Sequence, residues 1–335
     1  VKEPVRSPKN PLFAGICVVG IVGLYFYLLG TSSHPEPGAN LKYDITEYAE
    51  LDRVETRFEE TGRIEPDVED AWSLAQGPDG TLYVGGQDVV AVFDADGNET
   101  GRFPLEGKAV CMAGAPDGPL YIGFTDHIAV MNPAGEITAT WSKLEGRPYL
   151  TSIAVSENDV YVGDMGNRVV YRFNREGALQ TRIGLKDEDK DVPGIVVPSP
   201  YFDVAINPEG TLWVVNPGRL GLESYRPNGD IITSWYRPSM KLDGFPGCCN
   251  PSHITFDQDG RLIAADKGLV RIKAYEVTSG ELEELVAGTE VFPRERAVKD
   301  IIVDNKNRIL VLDPRYNAIR IFEATKEVSD HVAAN

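Results

Sequence analysis

The stretch Ala71–Gly86, AWSLAQGPDGTLYVGG, decides the fold. It reads as an apolar strand, a turn built on Asp-Gly, and a second apolar strand. The phrase returns as AVCMAGAPDGPLYIGF from Ala109, LTSIAVSENDVYVGD from Leu150 and YFDVAINPEGTLWVVN from Tyr201. It returns again as PSHITFDQDGRLIAAD from Pro251 and VKDIIVDNKNRILVLD from Val298. Its turn residues, Gly80, Gly118, Asn158, Gly210, Gly260 and Asn307, lie 38, 40, 52, 50 and 47 residues apart. Glycine and asparagine supply the positive φ of such turns at little cost. A third strand follows each copy, such as VVAVFDADG or HIAVMNPAG, and a fourth often follows, such as ALQTRIG or DIITSWY. Four short strands per repeat of about 40–50 residues mark a propeller blade. The pattern predicts an all-β chain, a six-bladed β-propeller over residues 41–326, with no helix after residue 60. The segment LKYDITEYAELDRVETRF (41–58) has no first strands of its own and is expected to complete the last blade, closing the ring and removing open edges.

Ahead of the repeats, Leu12–Gly30 (LFAGICVVGIVGLYFYLLG) runs nineteen residues without a charge. That is about the length a helix needs to cross a hydrocarbon core of ~30 Å. Lys2, Arg6 and Lys9 precede it, against one acid, Glu3, which predicts a cytoplasmic segment 1–11 and a translocated body. The run exceeds the usual signal-peptide core and LLGTSS offers no clear cleavage site, so an anchor rather than a cleaved leader is expected. A single N-terminal transmembrane helix (12–30) in the lipid bilayer of a bacterial inner membrane, a tether at 31–40 and a tail at 327–335 complete the expected layout.

The 335 residues carry 51 acidic against 33 basic side chains, a net charge of −18. A chain so acidic lacks the basic stripe that nucleic-acid binding requires. It is equally unsuited to broad contact with anionic lipid. No GxxxxGK[ST], GxSxG or HExxH motif is present.

GDMGNRVVYRFNREG in the third repeat and LDPRYNAIRIFE in the sixth resemble the Asp…Asn…Arg pattern of NHL repeats, whose family forms six-bladed propellers. NPGRLGLESYRPNG, GFPGCCNPSHITFDQDG and ADKGLVRIKAY are further similar to a group of membrane-anchored bacterial NHL-type proteins with a Cys-Cys-Asn-Pro block. Members of that group carry an additional Cys where this chain has Pro246. The resemblance implies a propeller held near the membrane, in the company of membrane electron-transfer proteins. With the topology, it points to a protein-binding scaffold subunit of a membrane complex.

Seven residues before each turn Gly or Asn stand Ser73, Cys111, Asp203, His253 and Asp300, with Ser152 in the third repeat after a one-residue deletion. The next position is apolar every time, so the alignment predicts a ring of polar groups at one channel mouth, where a ligand or partner would bind. Asp203, His253 and Asp300, on consecutive blades, could hold a divalent metal or act as an acid/base set. The alternative is that they bond waters and loop amides. No cofactor is otherwise predicted. Two of the four histidines, His34 and His331, lie outside the blades, which excludes a three-histidine zinc centre in the propeller. The adjacent Cys248 and Cys249 could form a vicinal disulfide, a ligand-facing plate, or a reduced or metal-binding pair, which leaves a thiol-redox enzyme as the rival reading. Cys111, across the ring from them, is expected to be a free channel-facing thiol. Lys267 could hold an anionic ligand or an acidic partner if it reaches the mouth. Otherwise it, Arg271 and Lys273 read as solvated partners of nearby acids.

Overall fold

The computed structural model describes residues 56–189, 192, 194–292 and 297–325. The anchor 12–30, tether 31–40, Cys17, the residues before Thr56 and the tail lie outside them. Among the described residues no helix is long and apolar enough to cross a membrane. The described residues form six four-stranded antiparallel sheets. Blade one is β2 (Ser73–Gln76), β3 (Leu82–Gly85), β4 (Val89–Phe93) and β5 (Glu99–Pro104). Blade two holds β6 (Cys111–Gly114), β7 (Leu120–Gly123), β8 (Ile128–Met131) and β9 (Ile137–Thr140). Blade three holds β10 (Leu150–Val155), β11 (Asp159–Asp164), β12 (Val169–Asn174) and β13 (Leu179–Ile183). Blade four holds β14 (Val204–Ile206), β15 (Leu212–Asn216), β16 (Gly221–Tyr225) and β17 (Ile231–Tyr236). Blade five holds β18 (His253–Phe256), β19 (Leu262–Ala265), β20 (Ile272–Tyr275) and β21 (Leu282–Ala287). Blade six holds β22 (Asp300–Val303), β23 (Ile309–Asp313) and β24 (Ala318–Ala324), and its outer strand is β1 (Phe58–Ile64).

The ring closes as expected, by an N-terminal strand on the last blade, but that strand begins where the predicted segment 41–58 ends. Phe58 pairs with Ala324 and Ile64 with Ile319. Glu60 adds a carboxylate to the Arg320 guanidinium, which also reaches Asp313 at 3.3 Å.

Middle strands such as LYVG, LYIG and LIAA are buried along their whole length. Blades stack face to face, so both faces of a middle strand are covered and the sequence shows continuous apolar runs rather than alternation. The core is accordingly six clusters, one per blade interface. The cluster between blades six and one, for example, joins Leu310, Leu312 and Ile319 to Leu74, Leu82 and Val84. Outer strands other than β21 face solvent on at least one side, as in β9, where ITAT is exposed throughout.

Hairpin turns follow the expectation in five blades: Gly80, for instance, has φ 87° and Asn307 φ 58°. Asn158 is the exception and does not adopt positive φ. The third repeat is one residue shorter there, and its turn is closed by the Ser156 hydroxyl, which accepts the Asp159 N–H at 3.0 Å.

The NHL-like pattern has a physical basis in four blades. One residue past the partner of each ring position stands a polar side chain that meets another seven residues on, across the hairpin. Asp313 meets Arg320 at 3.3 Å, Asp266 meets Lys273 at 2.7 Å, and Asn216 donates to Glu223 at 2.8 Å. In blade three Asn167 bridges Asp164 (2.7 Å) and Tyr171 (3.3 Å). Gly86 and Phe124 hold the equivalent positions in the first two blades, which therefore lack the lock. Lys273 and Arg271 are fully buried, not solvated as expected. Lys273 also donates to the Gly244 carbonyl at 2.6 Å, and Arg271 to those of Met240 and Lys241, so the two cations pin the loop ahead of blade five.

Candidate functional site

The inner strands β2, β6, β10, β14, β18 and β22 contact one another in cyclic order and enclose a cavity of about 970 Å³. Cys111, Ser152, Asp203, His253 and Asp300 line it, as the alignment predicted. Ser73 does not. Its hydroxyl donates to the Ala109 carbonyl at 3.0 Å, turning it into the interface with blade two.

Most of the ring is engaged in joining neighbouring blades. The inner strands β14, β18 and β2 each carry near their start an N–H that is answered from outside their own sheet, and a buried donor needs a partner. The preceding blade supplies one. Ser152 Oγ accepts the Val204 N–H at 3.1 Å, Asp203 Oδ2 the Ile254 N–H at 2.8 Å, and Asp300 Oδ2 the Leu74 N–H at 2.7 Å. The Ser152 hydroxyl also bonds to Asp203 Oδ1, which accepts the Val204 N–H as well.

His253 Nδ1 lies 3.7 Å from Asp203 Oδ2. Burial disfavours the imidazolium, but the Asp203 contact and the Asp203 and Asp300 charges outweigh it and raise the pKa. For Asp300, burial is the largest influence. The imidazole pulls against it and Asp203 adds to it, leaving the carboxyl pushed up to about 7. Burial, with the Asp300 and Asp203 charges, raises the Cys111 thiol well above its usual range, so this channel-facing thiol is a poor nucleophile. Among the described residues no three His, Cys, Asp or Glu side chains converge closely enough to hold a metal ion. Asp203, His253 and Asp300 thus share one arc without forming a ligand set.

Above the ring lies a rim that the alignment passed over. Trp72 and Lys299 immediately precede ring positions, and Tyr201 stands two before Asp203; all three line the cavity. One step back along the same repeats would have exposed the first two. Tyr201 meets His253 edge-on at 6.2 Å between ring centroids, and Lys299 Nζ stands 3.1 Å from the Trp72 ring centre.

Lys267 reaches this rim, with Nζ 4.7 Å from the Tyr201 ring centre. The Cys-Cys-Asn-Pro block places it there. Asn250, fully buried, accepts the Lys267 N–H at 2.8 Å and donates to the carbonyls of Lys267 (3.1 Å) and Pro246 (2.6 Å). Cys249 is buried with φ 64° while Cys248 is exposed, and the two sulfurs are not bonded to each other. Neither lines the cavity, although a Cys249 charge contributes, after burial, to raising the Tyr201 pKa.

No protein-family model and no curated protein matches the sequence. Solved structures do match. A streptogramin B lyase aligns over 79% of this chain and 97% of its own, with a TM-score of 0.55 and 12% identity. The virginiamycin B lyase of Staphylococcus aureus covers 79% of this chain and 88% of its own, at 0.53 and 17%. A protein of unknown function from Bacteroides thetaiotaomicron covers 79% and 75%, at 0.56 and 14%. The likeness is one of fold. The chain is a six-bladed β-propeller with neighbours of the virginiamycin B lyase type, and at such identity chemistry does not travel with architecture.

Proposed function

We propose that the chain is a membrane-anchored, extracytoplasmic propeller that serves as a protein-binding scaffold subunit of a membrane complex, an electron-transfer assembly being the one its sequence resemblance suggests. The observation that carries this reading is the use made of the inner ring. Ser152, Asp203 and Asp300 each spend their acceptors on the next blade, which favours a stiff frame over a set of free catalytic groups. A rigid body on a tether of ten residues (31–40) suits repeated docking near the bilayer, because little is lost in ordering it on binding.

The test is the native mass of the full-length chain gently solubilised from its own membrane. A mass well above 36.7 kDa plus micelle, with other subunits identified, is expected. A clean monomer would overturn the reading.

A second reading, acid/base chemistry at the mouth, draws on Asp300, whose carboxyl is pushed up to about 7 and which faces the same cavity as His253. Loss of a turnover activity in His253→Ala would favour it. Retention of partners in that variant, with no activity to lose, would favour the scaffold.

A further inference from the structure

We propose that the channel mouth binds a small organic anion, an apolar or aromatic carboxylate, with its charge at Lys267 and its body against Tyr201. The cavity beneath, about 970 Å³, is of the size that takes a metabolite-sized ligand.

Charge placement carries the inference. In a chain of net charge −18, five of the eight lysines among the described residues have a carboxylate within 4 Å. Lys108, Lys143, Lys186 and Lys273 each have one at 2.6–2.8 Å. Among the described residues Lys267 has none, and its ammonium rests over the Tyr201 ring instead. A ring face attracts a cation without neutralising it, so the positive charge remains available to an anion.

Of the acids lining the cavity, Asp70 is paired with Lys108 at 2.7 Å, and Asp203 and Asp300, at the inner strands, are already answered by donors. Asp203 accepts from Ser152, Val204 and Ile254, and Asp300 from Leu74 and Ile301. An incoming carboxylate is therefore held at the rim, while its apolar part meets Tyr201. The Asn250 clasp on both sides of the Lys267 peptide fixes the position of the cation and gives the buried asparagine of the Cys-Cys-Asn-Pro block a task.

The experiment is calorimetric titration of the full-length chain in neutral detergent with 1-naphthoate and with its uncharged counterpart 1-naphthamide, empty micelles serving as the blank. Naphthoate is expected to bind with a single site per chain and about tenfold more tightly than the amide. Lys267→Met should erase most of that preference, Lys267→Arg should keep it, and Lys186→Met, on an exposed loop, should leave it unchanged. The proposal fails if naphthoate gives no heat of binding, or if acid and amide bind equally. It fails also if the preference survives Lys267→Met in a variant that unfolds at the parental midpoint, or if an acetylated hexaglutamate binds more tightly than naphthoate. None of these outcomes bears on the native mass, so this inference and the scaffold reading stand or fall separately.

Discussion

Asp300 Oδ2 accepts the Leu74 N–H at 2.7 Å, a bond between residues 226 positions apart that joins the inner strand of the last blade to that of the first. It complements the outer closure by β1 on β24, so the ring is fastened at both its inner and its outer radius. Asp203 repeats the device between blades four and five.

Removing the acceptor should therefore loosen the ring. Asp300→Ala is expected to cost about 1–3 kcal/mol, the usual penalty for stranding a buried donor. Asp300→Asn, which keeps one carbonyl oxygen, should cost less. Denaturant unfolding of the two variants checks this, and an Asp300→Ala midpoint equal to the parent's would show that the Leu74 N–H does not need the carboxylate.

The same residue sets a pH dependence with a definite sign. Its folded-state pKa, about 7, lies above the ordinary value of 3.8, so between those limits the folded protein holds a proton that the unfolded chain has released. Stability from this group is full below pH 3.8 and is lost as pH rises to about 7, by an upper bound of about 4 kcal/mol. Thermal midpoints measured across that range should show a falling contribution that Asp300→Asn removes. An unchanged slope in the variant would assign the titration elsewhere.

Lys273 and Asp266, both fully buried and 2.7 Å apart, predict an asymmetric response to mutation. Lys273→Ala should destabilise by about 3–5 kcal/mol, because it removes one charge of a fully buried ion pair. Lys273→Met with Asp266→Leu should recover part of that loss, since both charges of the pair leave together. The comparison is read from chemical unfolding of the single and double variants.

The thiols should differ sharply in reactivity. In reduced protein Cys248, which is exposed, is expected to be alkylated in the native state, while the buried Cys111 and Cys249 react only after unfolding. Peptide mapping after a brief iodoacetamide pulse distinguishes them. Equal labelling of Cys111 and Cys248 would contradict the burial of the channel thiol.

Much of this was legible from the repeat alone. Turn spacing located six blades, and counting back seven residues, or six in the shortened third repeat, located five residues that line the cavity. Ser73 was misplaced because the direction of a side chain at a strand end depends on the neighbouring blade, here the Ala109 carbonyl, and its own repeat does not encode that. Lys273 read as a solvated cation because its partner, Asp266, lies across a hairpin and both are covered by the loop that Lys273 itself holds. The rim residues Trp72 and Lys299 went unread because a period marks the positions that recur in type, and the residue before each ring position does not.

By itself the sequence determined the architecture: period, strand count, turn positions and a closing N-terminal strand are local patterns repeated along the chain, and face-to-face blade packing needs no more than apolar runs at the right intervals. Only the tertiary structure decided which polar groups are spent on the frame and which remain at the mouth. Asp203, Asp300 and Lys267 are alike in being charged residues near the starts or ends of blade strands. The first two are taken up by N–H groups brought to them from the next blade, and the third is left over an aromatic ring with its charge unanswered.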